Sequence, residues 1–166
     1  MSTSMSTPQE LFVHELGDIL FAEQTIAKMH PKLAEEATDS ELVAGFERHL
    51  KETEEQIENL KQVFELVGEP VKAEKCPAIL GLKEEHDSFV SDESPTPEIL
   101  DMFDAGTAVR VEHYEIAAYT ALVVTAEALG HDKCVTLLQA NLKQEQQMLK
   151  SAEKIAERLA KQPVSA

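Results

Sequence analysis

The sequence predicts an all-α protein built around four long helices. Glycine and proline are sparse, at 6 and 7 of 166 residues, while alanine, leucine, glutamate and lysine recur throughout, which favours helix. Apolar residues repeat at the three- and four-residue spacing of amphipathic helices over long stretches of the chain. Glycines or prolines stand at the ends of those stretches, where they are typical helix boundaries.

The first two helices are predicted to form a tight hairpin. The first begins at Thr7 and Pro8, a capping residue followed by proline at the first helical position, and runs to about Ala37. Its apolar pattern continues past Pro31, so this proline is expected to bend the helix and not to end it. The second helix follows residues 38–40 and ends at Gly68.

A long connection, residues 69–95, precedes a second hairpin. A short amphipathic helix is predicted inside it, from about Pro77 to Val90. The third long helix opens near Pro97 and ends at Gly130, and the fourth runs from about Asp132 to Leu159.

Two hairpins joined by one long crossover are typical of a ferritin-like four-helix bundle. We therefore expect one such domain over residues 8–160. Residues 1–7, which are polar and lack the apolar segment of a secretory signal, are expected to form a disordered N-terminal tail. Residues 161–166 are expected to form a short C-terminal tail.

The charge balance excludes several classes of partner. The chain carries 15 Lys+Arg against 31 Asp+Glu, a formal net charge of −16. This charge repels nucleic-acid phosphates and anionic membrane surfaces, so neither is an expected partner. The two cysteines, Cys76 and Cys134, are too few for a disulfide framework and lack zinc-site spacing, which favours a cytoplasmic location.

Acidic residues interrupt the apolar face of every long helix. They are Glu23 on the first, Glu52 with His49 on the second, Glu112 and Glu115 on the third, and Glu145 on the fourth. Each glutamate lies about 14 to 18 residues from the turn of its own hairpin. At a rise of ~1.5 Å per residue these positions fall within about one helical turn of each other. The sequence therefore predicts one acidic layer across the bundle.

A layer of buried bare carboxylates is unstable, because each buried ion is costly and like charges repel. Protonation, cationic side chains or bound metal would each relieve it. Two divalent cations bridged by carboxylates, with a histidine contribution, satisfy such a site. Oxygen ligands together with an imidazole favour two iron ions, or manganese, over calcium or magnesium.

Four segments resemble the YciE/YciF family of bacterial stress-associated proteins, which belongs to the ferritin-like superfamily. They are Phe21–Ile26, His49–Ile57, Lys75–Leu82 and Val111–Tyr119. The resemblance implies a helical bundle, usually a homodimer, with a rubrerythrin-like di-metal centre. It implies that the metal ligands are Glu23, Glu52, Glu112, Glu115 and Glu145, with His49 as an additional ligand.

The sequence departs from the superfamily at two positions. The superfamily pattern is Glu-x-x-His on the second and fourth helices, but Glu55 and Met148 stand where the histidines are expected. His49, three residues before Glu52, is the nearby imidazole, in the reverse order. The second carboxylate on the third helix resembles the extra carboxylate of rubrerythrins.

Several other polar residues are predicted to play supporting or structural roles. Gln56 is expected to support the ligands, and Tyr119 to be a core aromatic residue with a satisfied hydroxyl. His113 lies off the line of the acids and is expected at the surface or at an interface. The remaining histidines are interpreted as structural or surface residues; they are His14, His30, His86 and His131.

Two functions remain open on the sequence. The first is a stress protein with a di-iron or di-manganese centre whose open metal positions accept O2 or peroxide, as in a non-haem oxidase or peroxidase. The second is a non-catalytic dimeric stress protein in which metal is structural or absent. In that case the apolar residues of the crossover helix, Ile79, Leu80, Leu82, Phe89 and Val90, form a dimer surface.

Overall fold

The computed structural model describes residues 4–162 and contains five α-helices within that range. They are α1 (Pro8–Glu36), α2 (Ser40–Leu66), α3 (Pro77–Glu93), α4 (Pro97–Ala128) and α5 (Asp132–Ala160). The all-α class and the four long helices with a short helix in the crossover are confirmed. Parts of the two predicted tails, residues 1–3 and 163–166, lie outside the described residues. Across residues 4–162, no helix has the length and apolar character needed to cross a membrane.

The predicted helix boundaries have clear local causes. α1 begins with a capping box, in which the Thr7 hydroxyl accepts from the Glu10 N–H at 3.2 Å and the Glu10 carboxylate accepts from the Thr7 N–H at 2.9 Å. The helix continues through Pro31, as predicted. α2 and α4 are each followed by a glycine with positive φ, Gly68 at +76° at the start of the crossover and Gly130 at +75° in the turn of the second hairpin.

The crossover is held against α1 by a close backbone contact. The Glu74 N–H donates to the Gly17 carbonyl at 2.9 Å. A Cβ atom on Gly17 would lie only 2.8 Å from the Lys72 carbonyl oxygen, so this approach requires glycine. The contact sets where α3 begins, and α3 then packs on α1 and α4. It extends to Glu93, three residues beyond the predicted end, and stops at Ser94 with a left-handed φ of 47°.

The core consists of two apolar clusters separated by a polar layer. The large cluster includes Phe12, Leu16, Ile19, Leu60, Phe64, Leu122 and Leu138. The small cluster is formed by Leu42, Phe46, Ala105, Ile155 and Leu159. Along α2, the buried polar residues His49, Thr53 and Gln56 fall between the members of the two clusters. The predicted polar layer therefore exists and is enclosed by apolar packing at both ends.

Candidate metal centre

Four buried side chains meet in the polar layer: His49 of α2, Glu112 and Glu115 of α4, and Glu145 of α5. Each offers one ligand atom, and these atoms all lie within 4.8 Å of one another. None of the four residues is more than 2% exposed. The His49 Nε2 atom lies 3.4 Å from Glu112 Oε1 and 4.0 Å from Glu115 Oε2. We call these four residues the axial group.

The two other predicted ligands border the axial group. Glu23 of α1 is fully buried, and its Oε1 accepts a hydrogen bond from the Tyr119 hydroxyl at 2.5 Å. The Glu52 side chain is 25% exposed, and its Oε2 lies 3.7 Å from His49 Nδ1. The structure therefore brings four of the six predicted residues together, with Glu52 beside His49 and Glu23 close enough to Glu115 to add to the effect of burial in raising its pKa. Their assignment as metal ligands stays a prediction.

Neutral polar side chains hold two of the carboxylates in place. The Gln56 amide donates to Glu145 Oε1. The Asn141 amide donates to the Tyr119 hydroxyl at 3.1 Å and to the Gln56 carbonyl at 3.3 Å. This network links the supports of Glu23 and Glu145 to each other. The predicted supporting contact of Gln56 and the satisfied hydroxyl of Tyr119 are confirmed.

The electrostatics of the layer disfavour carboxylate anions without a cation. Burial raises the pKa of Glu112 to about 11, with a further contribution from the negative charge of Glu145. Burial, followed by the same repulsion from Glu145, raises the pKa of Glu23 and of Glu115 well above the usual range. Burial also raises the pKa of Glu145 itself. A nearby cation would reverse these shifts.

Many ligand atoms of the layer lack a hydrogen-bond partner among residues 4–162. They include both nitrogens of His49, both oxygens of Glu115, and Oε2 of Glu23, Glu112 and Glu145. Native structures rarely leave so many buried polar atoms unpaired unless a water or an ion satisfies them. Carboxylate oxygens with an imidazole suit iron or manganese. The residues present therefore fit a transition-metal site.

The residues at the positions of the superfamily histidines do not replace them. Glu55 is exposed and accepts a hydrogen bond from Gln144 at 3.1 Å. Met148 is 7% exposed, and its sulfur lies 3.4 Å from the Arg48 guanidinium nitrogen that donates to it. Within residues 4–162, the axial group thus contains a single imidazole, that of His49.

His30 is a buried neighbour of the site that sequence reasoning grouped with structural or surface residues. It is 5% exposed, and its ring meets the His49 ring edge-on with centroids 4.8 Å apart. Neither ring nitrogen has a hydrogen-bond partner within the described residues. Burial lowers the pKa of His30 well below its usual value. Its place seven residues after Glu23, two turns along the same helix face, was the available signal.

A second buried histidine, His86 of α3, pairs with Asp104 of α4. Both residues are 2% exposed. The His86 Nε2 atom lies 3.2 Å from Asp104 Oδ1, and its Nδ1 atom lies 3.3 Å from Asp87 Oδ1. Sequence periodicity carried no signal for this pair, because it depends on where α3 packs. His113, by contrast, is exposed as predicted.

Comparisons with known proteins show which family the chain belongs to. The family model described as "Domain of unknown function (DUF892)" matches residues 7–165. The chain is 36% identical to protein YciF of Escherichia coli over 143 residues, which cover 86% of each chain. It also superposes on the crystal structure of the E. coli stress protein YciF with a TM-score of 0.90 and 33% identity, covering 96% of this chain and 100% of that one.

Two further solved structures share the fold. YcfI of Rhodopseudomonas palustris has a TM-score of 0.83 and 38% identity, and 99% of each chain is covered. A protein of Xanthomonas campestris has a TM-score of 0.74 at 22% identity, which shows a common fold only. The chain belongs to the DUF892 family, and the resemblance to the YciE/YciF proteins predicted from its motifs is confirmed.

Proposed function

We propose that this chain is a ferritin-like stress protein that holds two transition-metal ions in its polar layer. The axial group forms the centre of the site, with Glu23 and Glu52 completing the ligand set. Iron is the first candidate and manganese the second, because the donors are carboxylates and one imidazole. The observation that carries the proposal is the convergence of His49 with three buried glutamates within 4.8 Å.

Charge balance is the physical support for a metal. Among residues 4–162, the carboxylates of the polar layer form ion pairs only with His49. One imidazole cannot offset Glu23, Glu112, Glu115 and Glu145, all of which are at most 2% exposed. Two divalent cations supply the missing positive charge without a change in the fold.

The side chains of this chain prepare the site for such ions. Tyr119 fixes one oxygen of Glu23, and Gln56 fixes one oxygen of Glu145, which leaves the second oxygen of each available. When bound, the metal pair supplies redox chemistry toward O2 or peroxide. Apolar packing on both sides of the layer keeps bulk water away. Kinship with the stress protein YciF supports a role in stress.

The second candidate is a non-catalytic stress or structural protein in which metal is structural or absent. One observation favours it: YcfI, which is 38% identical to this chain, is described as a candidate structural protein. Under this reading the same acidic layer either binds metal without turnover or stays protonated, as its raised carboxyl pKa values permit.

Assembly as a cytoplasmic homodimer belongs to the same proposal. Both cysteines are buried and unpaired, which suits a reducing compartment. The crossover helix offers less apolar surface than its sequence suggests, because Ile79 is buried in the large cluster and Phe89 stacks on Phe103 with centroids 3.8 Å apart. Sizing chromatography with light scattering tests the dimer, and a monomer at working concentrations contradicts it.

Elemental analysis tests the metal proposal directly. Protein purified without chelator is expected to contain bound iron or manganese, and metal-free protein to take up Fe(II) under anaerobic conditions. A Glu115→Gln variant is expected to lose this capacity, while Glu55→Gln, at an exposed position of α2, keeps it. Absence of metal, with no uptake, contradicts the proposal. If metal binds, O2 and peroxide consumption separates the redox protein from the structural one.

A further inference from the structure

A cavity of about 50 Å³ adjoins the axial group. His30, His49 and Glu112 line it beside the axial group. Asp104, eight residues before Glu112 on α4 and therefore ~12 Å away at the rise of an α-helix, lines its other end together with His86 of α3. Between them the lining is mainly apolar and includes Leu42, Gly45, Phe46, Ala105, Ala108 and Ile155. We call this cavity the inner chamber.

A second cavity lies between α1 and α3. It measures about 150 Å³ and is lined partly by three lysines, Lys28, Lys32 and Lys83. Three residues line both this outer pocket and the inner chamber: Met29, Leu33 and His86. The two cavities therefore meet at these shared side chains.

We propose that uncharged small molecules reach the axial group through the outer pocket and the inner chamber, and that Met29, Leu33 and His86 form the constriction between the two. This inference rests on the proposed function, because it assigns the route by which a reactant meets the site. The ligand class is a neutral molecule of about the size of a diatomic gas, since the chamber is small and mainly aliphatic.

The constriction combines one fixed side with one adaptable side. His86 is buried, its Nδ1 contacts Asp87 Oδ1 at 3.3 Å, and its Nε2 lies 3.2 Å from Asp104 Oδ1, so its ring has little freedom to turn. Met29 is unbranched and half-buried, and methionine side chains change rotamer readily. Passage of a small molecule therefore needs movement of Met29 or Leu33 and leaves His86 in place.

Metal ions are expected to take a different path. A hydrated cation pays a large desolvation penalty in an aliphatic chamber, and the three lysines that line the outer pocket outnumber its one carboxylate, Asp87. Glu52 offers an alternative, because its carboxylate is 25% exposed and already lies 3.7 Å from His49. The structure thus separates the entry of metal from the entry of a neutral reactant.

Dissolved O2 under pressure tests the chamber in the metal-free full-length protein by methyl NMR. Paramagnetic broadening is expected to be strong for Leu42, Ala105 and Ile155, which line the chamber. It is expected to be weak for Leu60 and Val63, which are fully buried in the large cluster and do not line it. Equal broadening in both sets, or none at the chamber, overturns the proposal.

A matched pair of glycine variants separates chamber filling from general effects. A Cβ on Gly45 meets only Ile155 Cδ1, at 3.7 Å, so Gly45→Leu places its side chain toward the chamber, and Gly45→Ala is the milder form. Gly106 is also within a helix, has no atom within 4 Å of an added Cβ and does not line the chamber. O2 broadening is expected to be lost in Gly45→Leu, weakened in Gly45→Ala and retained in Gly106→Leu; retention in all three overturns the proposal.

Xenon exchange tests the constriction. In the metal-free protein, Leu33→Phe is expected to slow exchange of xenon between solvent and chamber several-fold, while Leu11→Phe, at an exposed position of the same helix, leaves it unchanged. Equal rates overturn the route. Metal uptake measured on the same variants keeps the two ideas apart. If gas enters the chamber but the protein binds no metal, the proposed function is contradicted and the route is not. If the protein binds metal but no gas enters, the route is contradicted and the proposed function is not.

Discussion

The axial group and the His86–Asp104 pair are both buried and both combine histidine with carboxylate, but they differ in charge balance. In the pair, one imidazole faces one buried carboxylate at 3.2 Å, and this contact with Asp104 raises the pKa of His86 above its usual value. In the axial group, one imidazole faces three carboxylates.

This difference shows which buried polar group requires a ligand. A protonated His86 neutralises Asp104, so the pair needs no further cation for charge balance. The axial group lacks positive charge even when His49 is protonated, and the pKa values of its carboxyl groups are therefore strongly raised. Burial alone is therefore a poor guide to a metal site; an excess of acids over cations is the informative feature.

The largest expected effect is a difference in metal content between a variant of the axial group and a variant of the His86–Asp104 pair. Glu115→Gln removes a carboxylate from the axial group and is expected to abolish stoichiometric binding of iron or manganese. Asp104→Asn, a substitution of the same kind in the pair, is expected to leave the metal content unchanged. Elemental analysis of both variants checks this, and metal loss in Asp104→Asn would mean that the two groups form one site.

The pH dependence of stability should have opposite signs without and with metal. Glu112 has a folded pKa raised to about 11, so above the usual glutamate pKa the folded state holds more protons than the unfolded state. Stability of the metal-free protein is therefore expected to fall as pH rises through neutrality. Metal binding requires deprotonated ligands, so its stabilisation is expected to grow over the same range. Denaturant melts at several pH values measure both slopes, and parallel slopes would contradict a metal at these carboxylates.

Breaking the pair should cost less than losing the metal, but should still be readily measured. Asp104→Asn removes the buried carboxylate beside His86 and leaves only the partly exposed Asp87, so it is expected to destabilise the fold by about 3 kcal/mol. The double variant His86→Leu, Asp104→Leu removes both charges and is expected to recover much of that loss. A double-mutant cycle of denaturant melts over His86→Leu, Asp104→Leu and the double variant gives the coupling, and additive effects would show that the two side chains are independent.

The smallest effect is expected at a partly exposed pair that serves as a reference for the two buried groups. Asp39 caps α2 and accepts from Arg158 of α5 at 2.6 Å, and this hydrogen bond lowers the pKa of Asp39. Its contribution is present above the unfolded pKa of Asp and is lost as pH falls through the folded value. Asp39→Ala is expected to cost about 1 kcal/mol, mainly as a lost helix cap.

The test for Asp39 is the acid limb of the stability curve, that is, the loss of folding stability as pH falls. In Asp39→Ala this limb is expected to become shallower, because one low-pKa carboxylate is gone. Glu157→Ala, which removes an exposed partner of Lys161 in α5, is the control and is expected to leave the curve unchanged. An unchanged acid limb in Asp39→Ala would show that the pair does not couple α2 to α5.

Much of the polar layer was accessible from the sequence, because helices are regular. Glu23, Glu112, Glu115 and Glu145 were identified as interruptions of apolar faces, and all four are buried in one layer. Counting residues from each hairpin turn was enough to place them at one level, since the rise per residue is constant. Glu52 was placed at the right level, but its side chain is partly exposed, because its face of α2 lies at the edge of the bundle.

The sequence by itself determined the helices, their hairpin order and the acidic layer, since these follow from local periodicity and capping. Only the tertiary structure decided which side chains turn toward one another. His30 meets His49 through the packing of α1 on α2, and His86 meets Asp104 because the close contact at Gly17 directs the crossover to α1. The inner chamber likewise exists only where five helices fail to fill the space between them. Such features depend on distances between elements far apart in the chain, which no local pattern encodes.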